Sequence, residues 1–202
     1  MIVIENGIVS GIARAVYSAR NAYNSWDKSD SDFVTDTLGE KDLALAKSII
    51  KSGSDHSKFM RMITVTCDIV APLYWWKEFD TYKVGTVRNS CSTMHTIHKK
   101  EFTENDFSFE NVMKDVISIN TILERLNYAR KIYIESKNKL YWDSLIAILP
   151  SCYNQRATVQ MNYAVLRNIY HARKNHKLTE WRNFCKWIES LPYSELITEK
   201  EE

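Results

Sequence analysis

The chain has few of the residues that interrupt secondary structure or cross-link a fold. Only five Gly and three Pro occur among 202 residues, so long helices are expected and an all-β sandwich or barrel is not. The four cysteines stand far apart and include no C-x-x-C pair: Cys67, Cys91, Cys152 and Cys185. This spacing indicates buried or inert thiols rather than a disulfide framework or a zinc knuckle.

Long apolar runs and glycine-rich motifs are missing as well. No window reaches the roughly 18 apolar residues of a membrane helix, and the first residues lack the basic and apolar regions of a signal peptide. We therefore expect a cytoplasmic protein without a membrane partner. The glycines stand too far apart for a G-x-x-x-x-G-K-[ST] or G-x-G-x-x-G motif, which excludes P-loop and Rossmann phosphate sites.

The residues that are present are typical of a globular protein. Hydrophobic residues make up 45% and charged residues 26% of the chain, and the length fits a single domain, predicted over residues 1–195 with a charged tail at 196–202. Apolar spacing predicts helices near 8–16, 43–50, 73–79, 108–126, 141–149, 156–174 and 179–190, and strands at 1–5 and 59–70. Helices outnumber strands, so the predicted class is helix-rich α+β.

A basic stretch lies between residues 156 and 186, where Glu180 is the one acidic residue among many basic ones. The cations are Arg156, Arg167, Arg173, Lys174, Lys177, Arg182 and Lys186. On the predicted helix Asn162 and Arg173 share a face and stand about 16 Å apart along the axis. Such a face suits a long, phosphorylated ligand, and the alternative is a solvated basic face that packs its aliphatic stems on neighbours.

A second polar group occupies residues 81–95, whose secondary structure the pattern leaves open. It contains Thr81, Tyr82, Lys83, Thr86, Asn89, Ser90, Ser92, Thr93 and His95. This density predicts a polar pocket, and the alternative is a turn-rich connector whose hydroxyls bond their own backbone. Cys91, His95 and His98 have the spacing of a metal cluster, but such spacing is common by chance and no metal is predicted.

Several of these residues also belong to a longer pattern. His56 precedes a strand, Leu149-Pro150 precedes Asn162-x-x-x-Leu166-x-Asn168-x-x-x-x-Arg173, and LTEWRNFCKWI follows. Together with residues 79–95, the pattern resembles the flavin-dependent thymidylate synthases over roughly residues 50–190. The stretch FDTYKVGTVRNSCSTMH is similar to divergent members from phages and Gram-positive bacteria.

The resemblance implies a fold, an assembly and a reaction. The fold is α+β with a small central, mostly antiparallel sheet, and the assembly is a homotetramer with ligand sites at subunit contacts. The reaction methylates the nucleotide dUMP to dTMP, with methylenetetrahydrofolate, FAD and NADPH as cofactor and co-substrates. No covalent cysteine is needed in that scheme.

The resemblance also places individual residues in ligand contacts. Arg173 matches the arginine that holds and activates the pyrimidine, and Ser92 matches the serine beside the substrate phosphate. Asn89 matches a second motif residue on the substrate side, and Lys83 is expected to restore one positive charge there. The residues that match the flavin side are His56, Asn162 and Asn168.

The chain departs from the family pattern at several charged positions. Tyr82-Lys83-Val84 stands where Arg-His-Arg belongs, and Ser90 replaces an acid. The positions of three further arginines hold Met94, Ile146 and Ala164. Neutral side chains cannot imitate bidentate guanidinium contacts, so a second hypothesis is a non-catalytic or altered-specificity nucleotide-binding protein on the same fold. A third is a nucleic-acid binder that uses the basic stretch, although nucleic acid is not the expected partner.

Overall fold

The computed structural model of this protein describes residues 1–53, 55–110, 112–113 and 118–199. Its strands are β1 (Val3–Ser10), β2 (Thr64–Pro72), β3 (Val87–Ser90) and β4 (Asn154–Asn162). The helices in these ranges are α1 (Ile12–Ala19), α2 (Glu40–Lys51), α3 (Leu73–Phe79), α4 (Thr93–Thr96), α5 (Ile119–Ser136), α6 (Lys139–Ile148), α7 (Tyr163–Arg173), α8 (Thr179–Glu189) and α9 (Glu195–Thr198).

The strands form one small antiparallel sheet in the order β1-β2-β4-β3. Burial alternates along β2, where Val65, Cys67 and Ile69 are buried and the residues between them are half-exposed. One face of the strand therefore packs into the core, as the period of two requires. The sheet and the helices confirm the α+β class. Within the described residues, no helix has both the length and the apolar character to cross a membrane.

The chain divides into two compact units. Unit 1 comprises Met1–Val3, Ile69–Thr81 and Asn89–Ala157. Unit 2 comprises Ile4–Asp68, Tyr82–Arg88 and Thr158–Glu202.

Unit 1 has an aromatic and aliphatic core beneath the helical pair α5 and α6. The buried cluster consists of Ile97, Phe102, Phe107, Phe109, Ile119, Leu126, Ala129 and Leu145. Phe107 stacks on Phe109 with ring centroids 5.1 Å apart. Helix α3 begins directly after Pro72 and buries Trp76, whose Nε1 donates to the carbonyl of Gln155 at 3.0 Å. This bond satisfies the polar end of a large buried ring.

Unit 2 is built around α7, which packs against α8 and α9. The buried face of α8 carries Trp181, Phe184, Cys185 and Ile188 at helical spacing. Elsewhere in the unit, Asp42 is fully buried and accepts hydrogen bonds from Arg20, Ser29 and Ser31 at 2.6–2.7 Å. Burial raises the pKa of Asp42, but the bonds from both serines and from Arg20 outweigh it and hold that pKa below its ordinary value.

The predicted helices at 43–50, 73–79, 141–149 and 179–190 are confirmed as α2, α3, α6 and α8. In contrast, the helix predicted over 156–174 is wrong in its first half, because Asn154–Asn162 forms β4. Ala157, Val159 and Met161 are buried, and Arg156, Thr158 and Gln160 are exposed. This alternation has the period of a strand, and helical spacing begins only after Asn162.

The helix predicted to begin near Ser108 begins at Ile119 instead. Ser118 is its N-cap, and the side-chain oxygen of Ser118 accepts a backbone N–H of the first turn. Ser108 is buried in a loop of unit 1 and donates its hydroxyl to an asparagine side chain at 2.7 Å. Val112 lies outside the helix, and Val116 falls outside the described residues.

The first strand is longer than predicted. β1 includes Ile8, which the spacing placed in a helix, and α1 begins only at Ile12. Gly11 separates the two with a φ of +83°, a left-handed conformation that suits glycine and ends the strand. β2 begins at Thr64 rather than residue 59, because Lys58–Arg61 forms a 3₁₀ turn.

The segment left unassigned, 80–95, contains three short elements. A 3₁₀ turn covers Asp80–Tyr82, β3 covers Val87–Ser90, and α4 covers Thr93–Thr96. The turn between the first two contains Gly85 at a φ of +80°. This segment therefore contains the edge strand β3 of the sheet and the loop Tyr82–Arg88 of unit 2.

Candidate functional site

Arg173 is the centre of a cluster in unit 2 that also contains Tyr82 and Trp181. It is the last residue of α7, and its Nε donates to the Tyr82 hydroxyl at 2.9 Å. The guanidinium carbon lies 4.9 Å from the ring centroid of Trp181 and 5.7 Å from that of Tyr82. The two rings meet edge to face at 5.9 Å. A cation at these distances is attracted by both ring faces.

Asn162 lies at the other end of α7, where β4 ends and the helix begins. Its Oδ1 accepts the backbone N–H of Val165 at 3.0 Å, so it is the N-cap. The sequence prediction that Asn162 and Arg173 share one helical face is therefore wrong for Asn162, which precedes the helix. The two residues do stand at opposite ends of the same element.

The loop Tyr82–Arg88 passes both ends of this helix. Tyr82 contacts Arg173 as described, and a Cβ added to Gly85 would stand 2.8 Å from Nδ2 of Asn162. Lys83 lies between these two points and is exposed. Of the residues predicted from the sequence, Lys83, Asn162 and Arg173 are thus brought to one loop and one helix.

The remaining hydroxyls of residues 81–95 behave in two ways. Thr81 donates to the backbone carbonyl three residues earlier, as the connector interpretation predicts. Thr86 differs, because its hydroxyl is buried and has no hydrogen-bond partner within the described part of the chain. A buried orphan hydroxyl in the loop beside Asn162 favours a ligand contact there.

Two flavin-side predictions also fall in unit 2, at separate places. Asn168 is exposed on the surface of α7. His56 is exposed and lines a cavity of about 600 Å³. The lining also includes Tyr23, Ser48, Ser52 and Lys58. The cavity thus combines hydroxyl, imidazole and ammonium groups with an aromatic ring and apolar side chains, a lining that suits a ligand with both polar groups and a ring.

Unit 1 holds the two substrate-side predictions Asn89 and Ser92. Asn89 is exposed on β3, and Ser92 is half-buried directly before α4. The neighbours of Ser92, Cys91 and Thr93, line a cavity of about 440 Å³ within this unit. The cationic side chains around the cavity are Lys99, Lys100 and Arg156.

The charge of this cavity follows from its ion pair. Lys100 pairs with Asp106. Burial raises the pKa of Asp106, but the bonds from Lys100 and Thr103 outweigh burial and lower that pKa. The net pKa is below the ordinary value, so Asp106 is ionised at neutral pH and offsets one of the three cations. The cavity therefore remains net positive, which favours an anionic group.

Sequence reasoning missed Arg156 as a cavity residue because it placed this arginine on a helix. The signal was present, since residues 156–161 alternate in polarity. It also treated Tyr82 only as one of the polar side chains of residues 81–95 and as the replacement of a family arginine. No sequence signal connects Tyr82 to Arg173, because the two residues are 91 positions apart.

Other cations of the basic stretch serve the fold. Arg167 is buried and donates to the carbonyls of Ile197 and Glu199 at 3.1 and 2.5 Å. Arg182 donates to the carbonyls of His176 and Lys177 at 2.6 and 2.8 Å. The stretch is consequently not one continuous basic helix face, which weakens the nucleic-acid hypothesis.

Metal and thiol chemistry have little support in the described residues. No group of three His, Cys, Asp or Glu side chains in these residues is placed to hold a metal ion. Burial raises the pKa of the Cys67 thiol to about 12 and that of Cys185 to about 11. Neither is a thiolate at neutral pH, whereas Cys91 is exposed.

Comparisons with known proteins locate the fold. No protein-family model matches the sequence, and no curated protein does so either. A crystal structure of the flavin-dependent thymidylate synthase ThyX from Helicobacter pylori, complexed with FAD and dUMP, matches 100% of this chain and 99% of that chain. Its TM-score is 0.70 and its sequence identity 16%. A second crystal structure of that enzyme with the same ligands covers 98% and 96%, with a TM-score of 0.75 and 16% identity. The chain therefore has the fold of the flavin-dependent thymidylate synthases.

Proposed function

We propose that this protein is a flavin-dependent thymidylate synthase that methylates dUMP to dTMP, with methylenetetrahydrofolate as carbon donor and NADPH as reductant. The observation that carries the proposal is the Arg173 cluster. A guanidinium held at the end of α7 by a phenol and an indole ring is a fixed positive charge. It stands on a fold whose solved neighbours were crystallised with FAD and dUMP.

The role of Arg173 follows from its chemistry. A guanidinium that donates to a pyrimidine carbonyl stabilises the negative charge that develops on that oxygen when the ring is activated. Because Arg173 is already oriented, little ordering free energy is spent when the ligand binds. Arg173 is therefore the proposed catalytic residue.

Substrate binding is proposed for Ser92, Asn89 and Lys83. Ser92 lies directly before α4, next to residues that line the net positive cavity of unit 1, and its role is to contact the nucleotide phosphate. Lys83 is exposed and contributes a point charge rather than a bidentate fork.

Flavin binding is proposed for His56, Asn162 and Asn168. His56 lines the cavity of about 600 Å³ with Lys58 and three serines, a donor set that suits phosphate and hydroxyl groups. When bound, FAD supplies the hydride chemistry of the reaction. Asn162 uses Oδ1 as the helix cap, so its amide Nδ2, which lies beside Gly85, is the group proposed to donate to the cofactor.

A turnover assay tests this function. Protein supplied with FAD, NADPH, methylenetetrahydrofolate and dUMP is expected to form thymidylate, and Arg173→Ala is expected to reduce kcat by about 10²–10³-fold. The matched control is Lys186→Ala, which removes an exposed cation from α8 and is expected to leave the rate unchanged. Wild-type turnover no higher than that of Arg173→Ala would contradict the proposal.

The second candidate is a nucleotide-binding protein of altered specificity or without catalysis. The observation that favours it is the absence of arginine at Tyr82, Met94, Ile146 and Ala164. Each lost charge-assisted contact weakens binding by about 1.5–3 kcal/mol. Thermal shifts across a panel of nucleotides separate the two candidates. A larger stabilisation by a nucleotide other than dUMP, without thymidylate formation, would favour this second function.

A further inference from the structure

Tyr82 shares the Arg173 cluster but has no role assigned by the pattern of the sequence. It ends the 3₁₀ turn Asp80–Tyr82, and its side chain is half-buried. Its hydroxyl accepts the Nε proton of Arg173 at 2.9 Å, and its ring stands 5.7 Å from the guanidinium carbon. One side chain therefore accepts a hydrogen bond from the guanidinium and also places its ring near the guanidinium carbon.

Arg173 depends on such contacts for its orientation. It is the last helical residue of α7, and its long side chain carries roughly 2 kcal/mol of rotamer entropy. The helix backbone fixes only the start of that side chain. A hydrogen bond at Nε sets the guanidinium plane, because Nε is the atom that joins the planar group to the aliphatic stem.

Tyr82 is itself held in place from two directions. Its ring meets the fully buried Trp181 edge to face at 5.9 Å. Three residues later, Gly85 adopts a φ of +80° and approaches both Asn162 and Val165 so closely that a Cβ would stand 2.8–3.1 Å from their side chains. The loop is thus fixed against the start of α7 while Tyr82 is fixed near its end.

We propose that Tyr82 is a positioning residue: its hydroxyl orients the Arg173 guanidinium for contact with the carbonyl edge of a pyrimidine nucleotide. The inference rests on the proposed function for its ligand, but the contact itself is a property of this chain. Tyr82 does not touch the substrate in this scheme. It acts through Arg173, and the ring alone does not replace the hydroxyl.

The variant that tests this is Tyr82→Phe, which keeps the ring contact with Trp181 and removes only the acceptor. The first readout needs no nucleotide: the rate at which phenylglyoxal modifies Arg173, followed by mass spectrometry of its peptide. We expect a severalfold faster reaction in Tyr82→Phe, because the hydrogen bond that sets the guanidinium plane at Nε is lost. Arg182, held by two carbonyls, is the internal reference and should react at an unchanged rate.

The second readout is the Kd of dUMP for the FAD-loaded protein in a double-mutant cycle. Tyr82→Phe is expected to weaken binding by about tenfold in the wild-type background, and to have little effect once Arg173→Lys is present, because the two residues act as one unit. Tyr128→Phe, which alters an exposed tyrosine of unit 1, is the control and should bind dUMP as the wild type does.

The possible results separate the two proposals. An unchanged Arg173 reactivity in Tyr82→Phe, or an equal loss of affinity with and without Arg173→Lys, would overturn the positioning role. A change in Arg182 and in Tm together with Arg173 would also overturn it, by showing a general loosening of unit 2. If wild-type protein binds no dUMP, the proposed function is contradicted, and the phenylglyoxal rates alone decide whether Tyr82 orients Arg173.

Discussion

At the scale of single residues, Asp42 shows how a buried charge is satisfied in this chain. Its carboxylate has three side-chain donors, Arg20, Ser29 and Ser31, all within 2.7 Å. Arg20 is only 6% exposed and Asp42 not at all. Removing either partner would leave the other charge buried without compensation, which costs far more than the intact pair contributes.

Arg20→Ala is therefore expected to lower the free energy of unfolding by about 3–5 kcal/mol. The matched control is Lys139→Ala, which removes one partner of an exposed ion pair with Asp143 on α6 and should cost about 0.5 kcal/mol or less. Urea denaturation monitored by circular dichroism measures both. Similar losses for the two variants would show that the Arg20–Asp42 pair is not desolvated.

The lowered pKa of Asp42 predicts a pH dependence with a definite sign. The unfolded chain has an Asp pKa of about 3.9, and the folded value is lower. The stability from Asp42 is therefore complete above about pH 4 and is lost as the pH falls through the folded pKa. Urea unfolding at a series of pH values from neutral to acidic checks this. Asp42→Asn should be less stable at neutral pH and less sensitive to acid, and an identical acid slope would contradict it.

The site residues show what a sequence can and cannot predict. Arg173, Asn162 and Lys83 were predicted as site residues from the spacing of polar groups and from resemblance, and the structure places them on one helix, at its N-cap and on one loop. Their partners were not found. Tyr82 meets Arg173 through a tertiary contact, and local patterns contain no information on which distant ring will face a guanidinium.

At the scale of elements, the loop Tyr82–Arg88 depends on a residue without a side chain. Gly85→Ala is expected to lower the free energy of unfolding by more than about 1 kcal/mol, since it combines a left-handed φ with contacts to Asn162 and Val165. Gly53→Ala is the control, because its φ is +102° but the added Cβ meets nothing within 4 Å. Thermal or urea unfolding should rank Gly85→Ala as the more damaging, and the reverse order would contradict the close approach.

The sequence predicted helices correctly where apolar residues kept helical spacing between residues that mark the start or the end of a helix. α3 begins after Pro72, and α2 ends at the Ser52-Gly53 pair. They failed at 154–162, where a strand of period two leads without a break into a helix through Asn162. The missed signal was the asparagine itself, an N-cap residue that marks where the helix starts. Ser108 was an equally good cap candidate in sequence, but tertiary contacts use it in a loop.

At the scale of the whole molecule, we propose a homotetramer, following the family resemblance. Exposed apolar side chains on α6 are consistent with contacts to other copies, since Leu140 and Ile148 are each at least 50% exposed. Size-exclusion chromatography with light scattering is expected to give a mass about four times the 23.6 kDa of the chain. A monomeric mass at micromolar concentration would contradict the assembly.

The central claim is that this fold binds FAD and a uracil nucleotide through its own residues. The most direct measurement is the visible absorption spectrum of protein incubated with FAD, passed through gel filtration and then titrated with dUMP. We predict a retained flavin band that dUMP perturbs in the wild type and leaves unchanged in Arg173→Ala. A colourless protein after gel filtration would contradict flavin binding, and a bound flavin that dUMP does not perturb would contradict the nucleotide site at Arg173.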